Sequence, residues 1–279
     1  MRIYINGKFY EEKKASLSAL DHGLLYGDGI FETLRTYNRK VFMIDEHIAR
    51  LFSSAEKISL KIPLGKREIK NAMNNSIKEN SLEEAYLRIT ITRGTGDIGY
   101  TSRCTPNIII IAKRFHEYPA KIYKKGVSVA TYNAERFMPE VKSTSCLALA
   151  IAKSHADKKG CFDAILLDKE GNATEGTVSN IFFTKGRTLF TPRENILKGI
   201  TRDIVIRLAK KDFVVKEQGI HKSQLSSFEE CFLTNTSAEL VPVVNIDGKP
   251  IGNGKPGKLW KILSQEFKEE VKRYYAKEN

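Results

Sequence analysis

Ala85-Tyr86-Leu87-Arg88-Ile89-Thr90-Ile91-Thr92-Arg93 runs straight into Gly94-Thr95-Gly96-Asp97-Ile98-Gly99. After Tyr100 to Pro106 comes Asn107-Ile108-Ile109-Ile110-Ile111-Ala112-Lys113. The two outer stretches are rich in β-branched residues and have strand length. The segment between them matches G-x-G-x-x-G. In a dinucleotide-binding unit that motif follows a strand and opens a helix, because the pyrophosphate sits on the helix N-terminus. Here a strand precedes it, but no helical period follows. The stretch reads as a hairpin with a glycine-rich loop of the kind that lines pockets, and it argues against a doubly wound dinucleotide fold.

Working outward, residues 2–10 read as a hairpin turning at Asn6-Gly7, and 31–37 with 41–43 as a second one around residues 38–40. Asp45 is placed to cap a helix over 46–59, whose Ile48, Leu51, Phe52, Ala55 and Ile58 share one face. A helix is expected over 66–79. The segment 114–121 breaks the pattern and is read as a linker. Beyond it, strands are expected at 126–132, 163–167, 178–184 and 230–234, and helices at 146–158, 201–210 and 257–275. The last helix gathers Leu259, Ile262, Leu263, Phe267 and Val271 on one side. The result is an α/β (α+β) chain in two lobes: a small N-terminal domain over 1–113 and a larger, strand-rich C-terminal domain over 122–279.

Composition agrees. A chain of 279 residues, 41% hydrophobic and 28% charged, is neither disordered nor fibrous. No apolar run approaches the roughly 18 residues of a membrane span, and the N-terminus enters a strand at once, so no signal peptide is expected. The four cysteines and five histidines show no metal or disulfide spacing, which points to a reducing cytoplasm. The net charge of +13 is carried by dispersed lysines, a solvated surface rather than a nucleic-acid face.

Several residues invite a chemical reading beside an ordinary one. Gly199 stands before the helical pattern of Ile200-Thr201-Arg202, where unpaired amides attract phosphate, yet it also suits a plain N-cap. Thr234 to Ala238, with Thr236, Ser237 and Ala238, is small enough for a ligand to approach the backbone, or is simply a turn. Arg50 shares a helix face with His47. Lys142, between a strand and an apolar helix, is a nucleophile if desolvated and a surface lysine otherwise. Glu175 reads as a solvent-exposed loop acid.

Ordered blocks join these fragments. Asp21 to Glu32, His47-Ile48-Ala49-Arg50-Leu51, Arg93-Gly94, Val141-Lys142-Ser143, Glu175 to Asn180, Thr191-Pro192, Ile196 to Arg202 and Thr234 to Pro242 resemble, end to end, the class IV (fold type IV) pyridoxal-phosphate aminotransferases, and among them the branched-chain enzymes. The resemblance implies that Lys142 is joined to pyridoxal 5'-phosphate and moves the proton. It implies that Glu175 meets the pyridine nitrogen and that Leu197 packs on the ring. Arg50, Ile200, Thr201 and Thr236, with Gly199, would hold the phosphate. Tyr26, Phe31, Thr33, Arg35, Tyr86, Arg88, Ile98, Ser237 and Ala238 would line the substrate pocket. It further implies a homodimer in which the 94–100 loop serves the partner's site. A binding module that had lost catalysis would be expected to lack Lys142 or Glu175.

The pattern has departures. Some branched-chain enzymes carry a tyrosine where this chain has Leu147, and Thr33 is more like the aminodeoxychorismate lyases. D-amino acid enzymes carry an Arg-x-His where Ile98-Gly99-Tyr100 stands. Tyr86-Leu87-Arg88 and the apolar Ile98 favour an aliphatic side chain. The expected reaction is ping-pong transfer of the amino group from an L-branched-chain amino acid to 2-oxoglutarate, with Arg35 or Arg88 as the switchable cation. D-amino acid transamination and the lyase reaction are the alternatives.

Overall fold

The computed structural model describes residues 1–101 and 103–276; positions 277–279 of the expected C-terminal domain lie outside them. The chain forms two compact units: Met1–His116 with Val141–Cys146, and Glu117–Glu140 with Leu147–Asn279. The segment 141–146, expected in the C-terminal domain, instead belongs to the first unit. Its backbone explains this: Phe31 N–H donates to the Lys142 carbonyl (2.9 Å) and Thr144 N–H to the Gly29 carbonyl (2.8 Å).

The first unit begins with the hairpin β1 (Arg2–Ile5) and β2 (Lys8–Glu11), turned by Asn6 and Gly7 at positive φ. Then come α1 (His22–Tyr26), β3 (Gly29–Tyr37), β4 (Lys40–Val41), α2 (Ile44–Lys57), α3 (Lys66–Glu79), β5 (Ala85–Thr95) and β6 (Thr105–Arg114). Their antiparallel sheet has the order β2-β1-β6-β5-β3-β4. Strand alternation sends Ile30, Leu34, Leu87, Ile89, Ile91, Ile108 and Ile110 to one buried face. There α2 packs on β3 and α3 on β6, burying Ile48, Leu51, Ile69 and Met73. Asp45 is not the cap of α2. The helix starts two residues earlier than expected, at Ile44 after Met43 in a left-handed conformation, and Asp45 in its first turn pairs with Lys70 at 2.9 Å.

Among the described residues the glycine loop opens no helix. Gly94 has φ +96°, and a Cβ there would lie 1.6 Å from the Thr105 carbonyl oxygen across the hairpin, so only glycine fits.

The second unit contains α4 (Ala120–Lys125), β7 (Val127–Asn133), α5 (Leu147–Lys158), β8 (Asp163–Leu167), β9 (Ala173–Gly176), β10 (Asn180–Lys185), β11 (Thr188–Thr191) and α6 (Ile200–Ala209). It continues with β12 (Val214–Glu217), β13 (Glu230–Asn235), β14 (Glu239–Ile246), β15 (Lys249–Pro250) and α7 (Lys258–Ala276). The mixed sheet runs β12-β11-β10-β13-β14-β7-β8-β9, with β15 on β14. Val129, Ile165, Ile181, Phe183, Leu233 and Val241 share one core.

Two sequence readings change here, and one strand is new. The strand expected at 178–184 begins only at Asn180, because buried Asp163 pulls Thr177 and Ser179 into a bend (Thr177 Oγ1 2.5 Å, Ser179 Oγ 2.9 Å). Val178 is exposed as a result. In α7, Ile262 is half out of the core, while Trp260 takes the other flank and donates its indole N–H to the Leu240 carbonyl (3.2 Å). β14 carries Pro242, a residue that argues against an interior strand, and its pairing with β7 shifts register at Val243/Asn245.

Candidate active site

In the first unit the sheet face opposite the helices carries Phe31, Thr33, Tyr86, Arg88 and Thr90, with Thr33 opposite Arg88. Lys142 is delivered to this face by the segment that pairs with Gly29 and Phe31. Thr144 Oγ1 and Ser145 Oγ both donate to the Gly27 carbonyl (2.7 and 3.0 Å), and Val141 is fully buried. The lysine is half-buried, with its Nζ 4.8 Å from the Phe31 ring centroid. The Arg88 guanidinium lies over the same ring at 3.8 Å, and its Nε donates to Thr90 Oγ1 (3.3 Å). An amine, an aromatic wall and a cation thus share one face. The Lys113 ammonium reaches within 5.2 Å of the Tyr86 ring, a cation that sequence reading did not single out.

Arg35 is not part of this group. Its guanidinium is sandwiched between Tyr37 (3.9 Å) and Phe115 (3.8 Å). It sits four residues along β3 from Phe31, roughly 13 Å at strand rise. Of the two cations expected to switch with substrate, only Arg88 is beside Lys142. Tyr26 accepts a hydrogen bond at its hydroxyl from Gly99 N–H (2.7 Å), which ties α1 to the glycine loop. That loop presents Ile98 and Tyr100 at 79% and 97% exposure. Ile98 therefore forms no wall of the Lys142 face; it points to solvent.

Arg50 projects from α2 beside β3. Glu32, on the buried face of β3, accepts from Arg50 Nε and NH2 at 2.7 Å each and from His47 Nδ1 at 2.8 Å. Burial pushes the Glu32 carboxyl up, but the charge and hydrogen bonds of Arg50 and the hydrogen bond of His47 outweigh it and hold its pKa at about 2. Burial lowers the His47 pKa. Glu32 opposes that shift, while the charges of Arg50 and Lys142 add to it. His47 is thus neutral at pH 7, with its Nδ1 proton assigned toward the carboxylate.

In the second unit Glu175 is not a loop acid. It lies in β9, buried, with Oε1 accepting from Arg136 NH1 (2.8 Å) and Oε2 from Leu197 N–H (2.9 Å). Arg136, Glu175, Thr174, Leu166 and Asn195 line a cavity of about 240 Å³. The Leu197 contact fixes the loop that leads to α6. Asn180 Nδ2 donates to the Leu197 carbonyl (2.7 Å), and a Cβ on Gly199 would meet Asn180 Oδ1 at 2.1 Å. Gly199 is needed for that close approach, and it leaves the first amides of α6, Ile200 and Thr201, without a side-chain cap.

Pairing of Asn180 with Thr234 sets the turn of Thr236, Ser237 and Ala238 beside this loop. Asn235 Oδ1 accepts from Ser237 and Ala238 N–H (3.0 and 2.7 Å) and holds the turn. The buried Thr234 Oγ1 has no hydrogen-bond partner among the described residues. An unsatisfied buried hydroxyl beside a helix N-terminus and a small-residue turn suits a phosphate-bearing ligand. Leu147, in the tyrosine position, is 75% exposed. Arg136, Asp163, Glu32, His47 and Asn180 were not assigned roles from sequence; only Glu32, His47 and Asn180 lay inside the motif blocks.

The Amino-transferase class IV family model matches residues 29–246. This chain belongs to the class IV aminotransferases. Among class IV relatives, a Methanocaldococcus jannaschii protein provisionally named branched-chain-amino-acid aminotransferase is 43% identical over 96% of each chain. A D-alanine aminotransferase of Bacillus licheniformis is 32% identical over 99% of each. A branched-chain amino acid aminotransferase from T.th. has been solved with pyridoxamine 5'-phosphate and with N-(5'-phosphopyridoxyl)-L-glutamate. Those structures align at TM-scores of 0.92 and 0.91, with 30% identity over 97% of this chain and 93% of theirs. The class IV fold and the enzymatic character of the chain follow.

Proposed function

We propose that this aminotransferase carries pyridoxal 5'-phosphate and moves the amino group of L-leucine, L-isoleucine or L-valine to 2-oxoglutarate in two half-reactions. In the first, the donor leaves as its 2-oxo acid. In the second, 2-oxoglutarate takes the amino group and leaves as glutamate. The observation that carries this reading is the cluster of Lys142, Phe31 and Arg88 on one sheet face. An aromatic wall suits an aliphatic side chain, and a cation over that wall can turn to a second carboxylate.

The residues fit the cofactor. Bound pyridoxal 5'-phosphate supplies an electron-accepting ring that makes the Cα–H of an attached amino acid acidic. Lys142 Nζ would hold the cofactor covalently and, once displaced, take the Cα proton and return it. Glu175, oriented by Arg136, would accept the pyridine N–H, with Leu197 against the ring. Arg50, the Ile200 and Thr201 amides behind Gly199, and Thr236 would meet the phosphate, two negative charges against a cation and a helix N-terminus. Ser237 and Ala238 offer backbone to a substrate carboxylate. Thr33, Tyr86 and Tyr26 complete the pocket.

A homodimer in a reducing cytoplasm is the proposed state. Leu24, Ile98 and Tyr100 are exposed apolar side chains of the first unit that a partner would cover, and all four cysteines are free thiols. As in the family pattern, the 94–100 loop would serve the partner's site.

The identity to a D-alanine enzyme makes D-amino acid transamination the second reading, with the lyase reaction behind it on Thr33 and Gly99-Tyr100. A half-reaction screen of the coloured holoenzyme with paired L- and D-amino acids separates them. Bleaching fastest with L-leucine is the expected result. Faster bleaching with D-alanine overturns the branched-chain reading, and pyruvate release from aminodeoxychorismate with little response to either series moves it to the lyase. Arg88→Ala should slow 2-oxoglutarate at least tenfold more than 4-methyl-2-oxopentanoate, because only the former brings a second carboxylate.

A further inference from the structure

Glu32 is an ionised carboxylate with no exposure, flanked along β3 by Ile30 and Leu34, which are also fully buried. A charge in that setting is costly, and a buried ion pair gives on average no more stability than apolar residues of the same volume. Stability alone does not account for it. Both carboxylate oxygens face α2. Oε1 takes Arg50 Nε, and Oε2 takes both Arg50 NH2 and His47 Nδ1. A guanidinium is planar, and two parallel bonds along one edge fix its rotation. With its Nε and NH2 both bonded to Glu32, the plane of the Arg50 guanidinium is set by the carboxylate. Arg50 retains 15% of its side-chain exposure while Glu32 has none.

We propose that Glu32, held by His47, is the positioning residue that sets the Arg50 guanidinium for the cofactor phosphate. The inference rests on the reading of Arg50 as a phosphate ligand given above. His47 contributes a neutral N–H rather than a second charge. It occupies one of the carboxylate lone pairs that Arg50 leaves, so Glu32 cannot swing away without losing a further buried bond. The arrangement is a two-step brace: helix to carboxylate to guanidinium, all within the first unit.

The full-length chain, stripped of cofactor, is titrated with pyridoxal 5'-phosphate and with pyridoxal, which lacks the phosphate. Arg50→Ala and Glu32→Gln should each weaken pyridoxal 5'-phosphate binding roughly tenfold to a hundredfold and leave pyridoxal binding unchanged. The double variant should be no worse than Arg50→Ala, because Glu32 acts only through Arg50. Loss in Arg50→Ala with wild-type affinity in Glu32→Gln overturns the proposal while leaving the phosphate reading intact. Wild-type affinity in Arg50→Ala overturns the phosphate reading and the proposal with it. Equal loss of both ligands in Glu32→Gln marks a merely structural role and also overturns it. Should Glu32→Gln fail to fold, His47 decides. His47→Asn keeps an N–H near the Nδ1 position and should bind pyridoxal 5'-phosphate as wild type, whereas His47→Phe should lose several-fold. Equal affinity in these two variants overturns the brace.

Discussion

Glu175 and Glu32 are both buried acids, and each is held by an arginine, but their surroundings set different tasks. Glu175 spends one oxygen on Arg136 and the other on the Leu197 amide, so the carboxylate is locked in orientation at the edge of a cavity. Glu175→Gln should leave the fold in place, because an amide still accepts one of these bonds. It should slow Cα deprotonation by at least about tenfold, since lowering the pKa of the ring nitrogen by one is worth on the order of 1.4 kcal/mol. Single-turnover kinetics with L-leucine measure this, and an unchanged rate contradicts the role. Glu32 and His47 make a pH prediction. The Glu32 pKa is depressed from 4.5 to about 2, so its contribution to stability is complete above 4.5 and is lost as pH falls through about 2. His47 is also depressed, so the unfolded chain takes up its proton first, and stability begins to fall as pH drops below 6.5. Thermal denaturation followed from pH 7 to pH 2 should show a falling midpoint, and Glu32→Gln should flatten the acid part of that curve. A variant curve parallel to wild type down to pH 2 would contradict the assignment.

At the level of elements, turns and loop ends do the positioning. The β5–β6 hairpin depends on Gly94, where positive φ and contact with the Thr105 carbonyl exclude any Cβ. Gly94→Ala should lower stability by more than about 1 kcal/mol. Gly219→Ala is the control, since its Cβ would meet nothing within 4 Å and its φ is ordinary. Comparison of their thermal midpoints checks this, and equal midpoints would contradict it. Strand and helix identities were largely legible from periodicity: α3 (Lys66–Glu79) and β8 (Asp163–Leu167) have the bounds expected. The misses have local causes. Asp45 looked like a cap because its residue type suits one, but the chain enters α2 through Met43 in a left-handed turn instead. β11 and β12 are four-residue strands whose pairing is not marked by any local pattern of apolar alternation. Glu175 looked exposed because a short polar run precedes β10; its burial arises from the strands and loops that close over β9.

At the scale of the whole molecule, the surface carries a prediction and the interior carries the lesson. Ile98 and Tyr100 are large apolar side chains left in water on a loop braced by Tyr26. The proposed dimer would cover them. Sedimentation should give twice the 31.6 kDa chain mass, and Ile98→Asp with Tyr100→Asp should give monomers that remain folded, because neither side chain is part of a core. A wild-type monomer would contradict the dimer. By itself the sequence determined the α/β character, the hairpin in place of a dinucleotide turn, and, through ordered motif blocks, the class IV family. Those are local properties, set by which residue types recur at which spacing. Only the tertiary structure decided that Arg88 rather than Arg35 stands beside Lys142, that segment 141–146 belongs with the first unit, and that Glu32 and His47 hold Arg50. Each of these depends on strand register and on helix packing between residues distant in the chain, and periodicity reports which face of an element is apolar without reporting which polar groups meet across it.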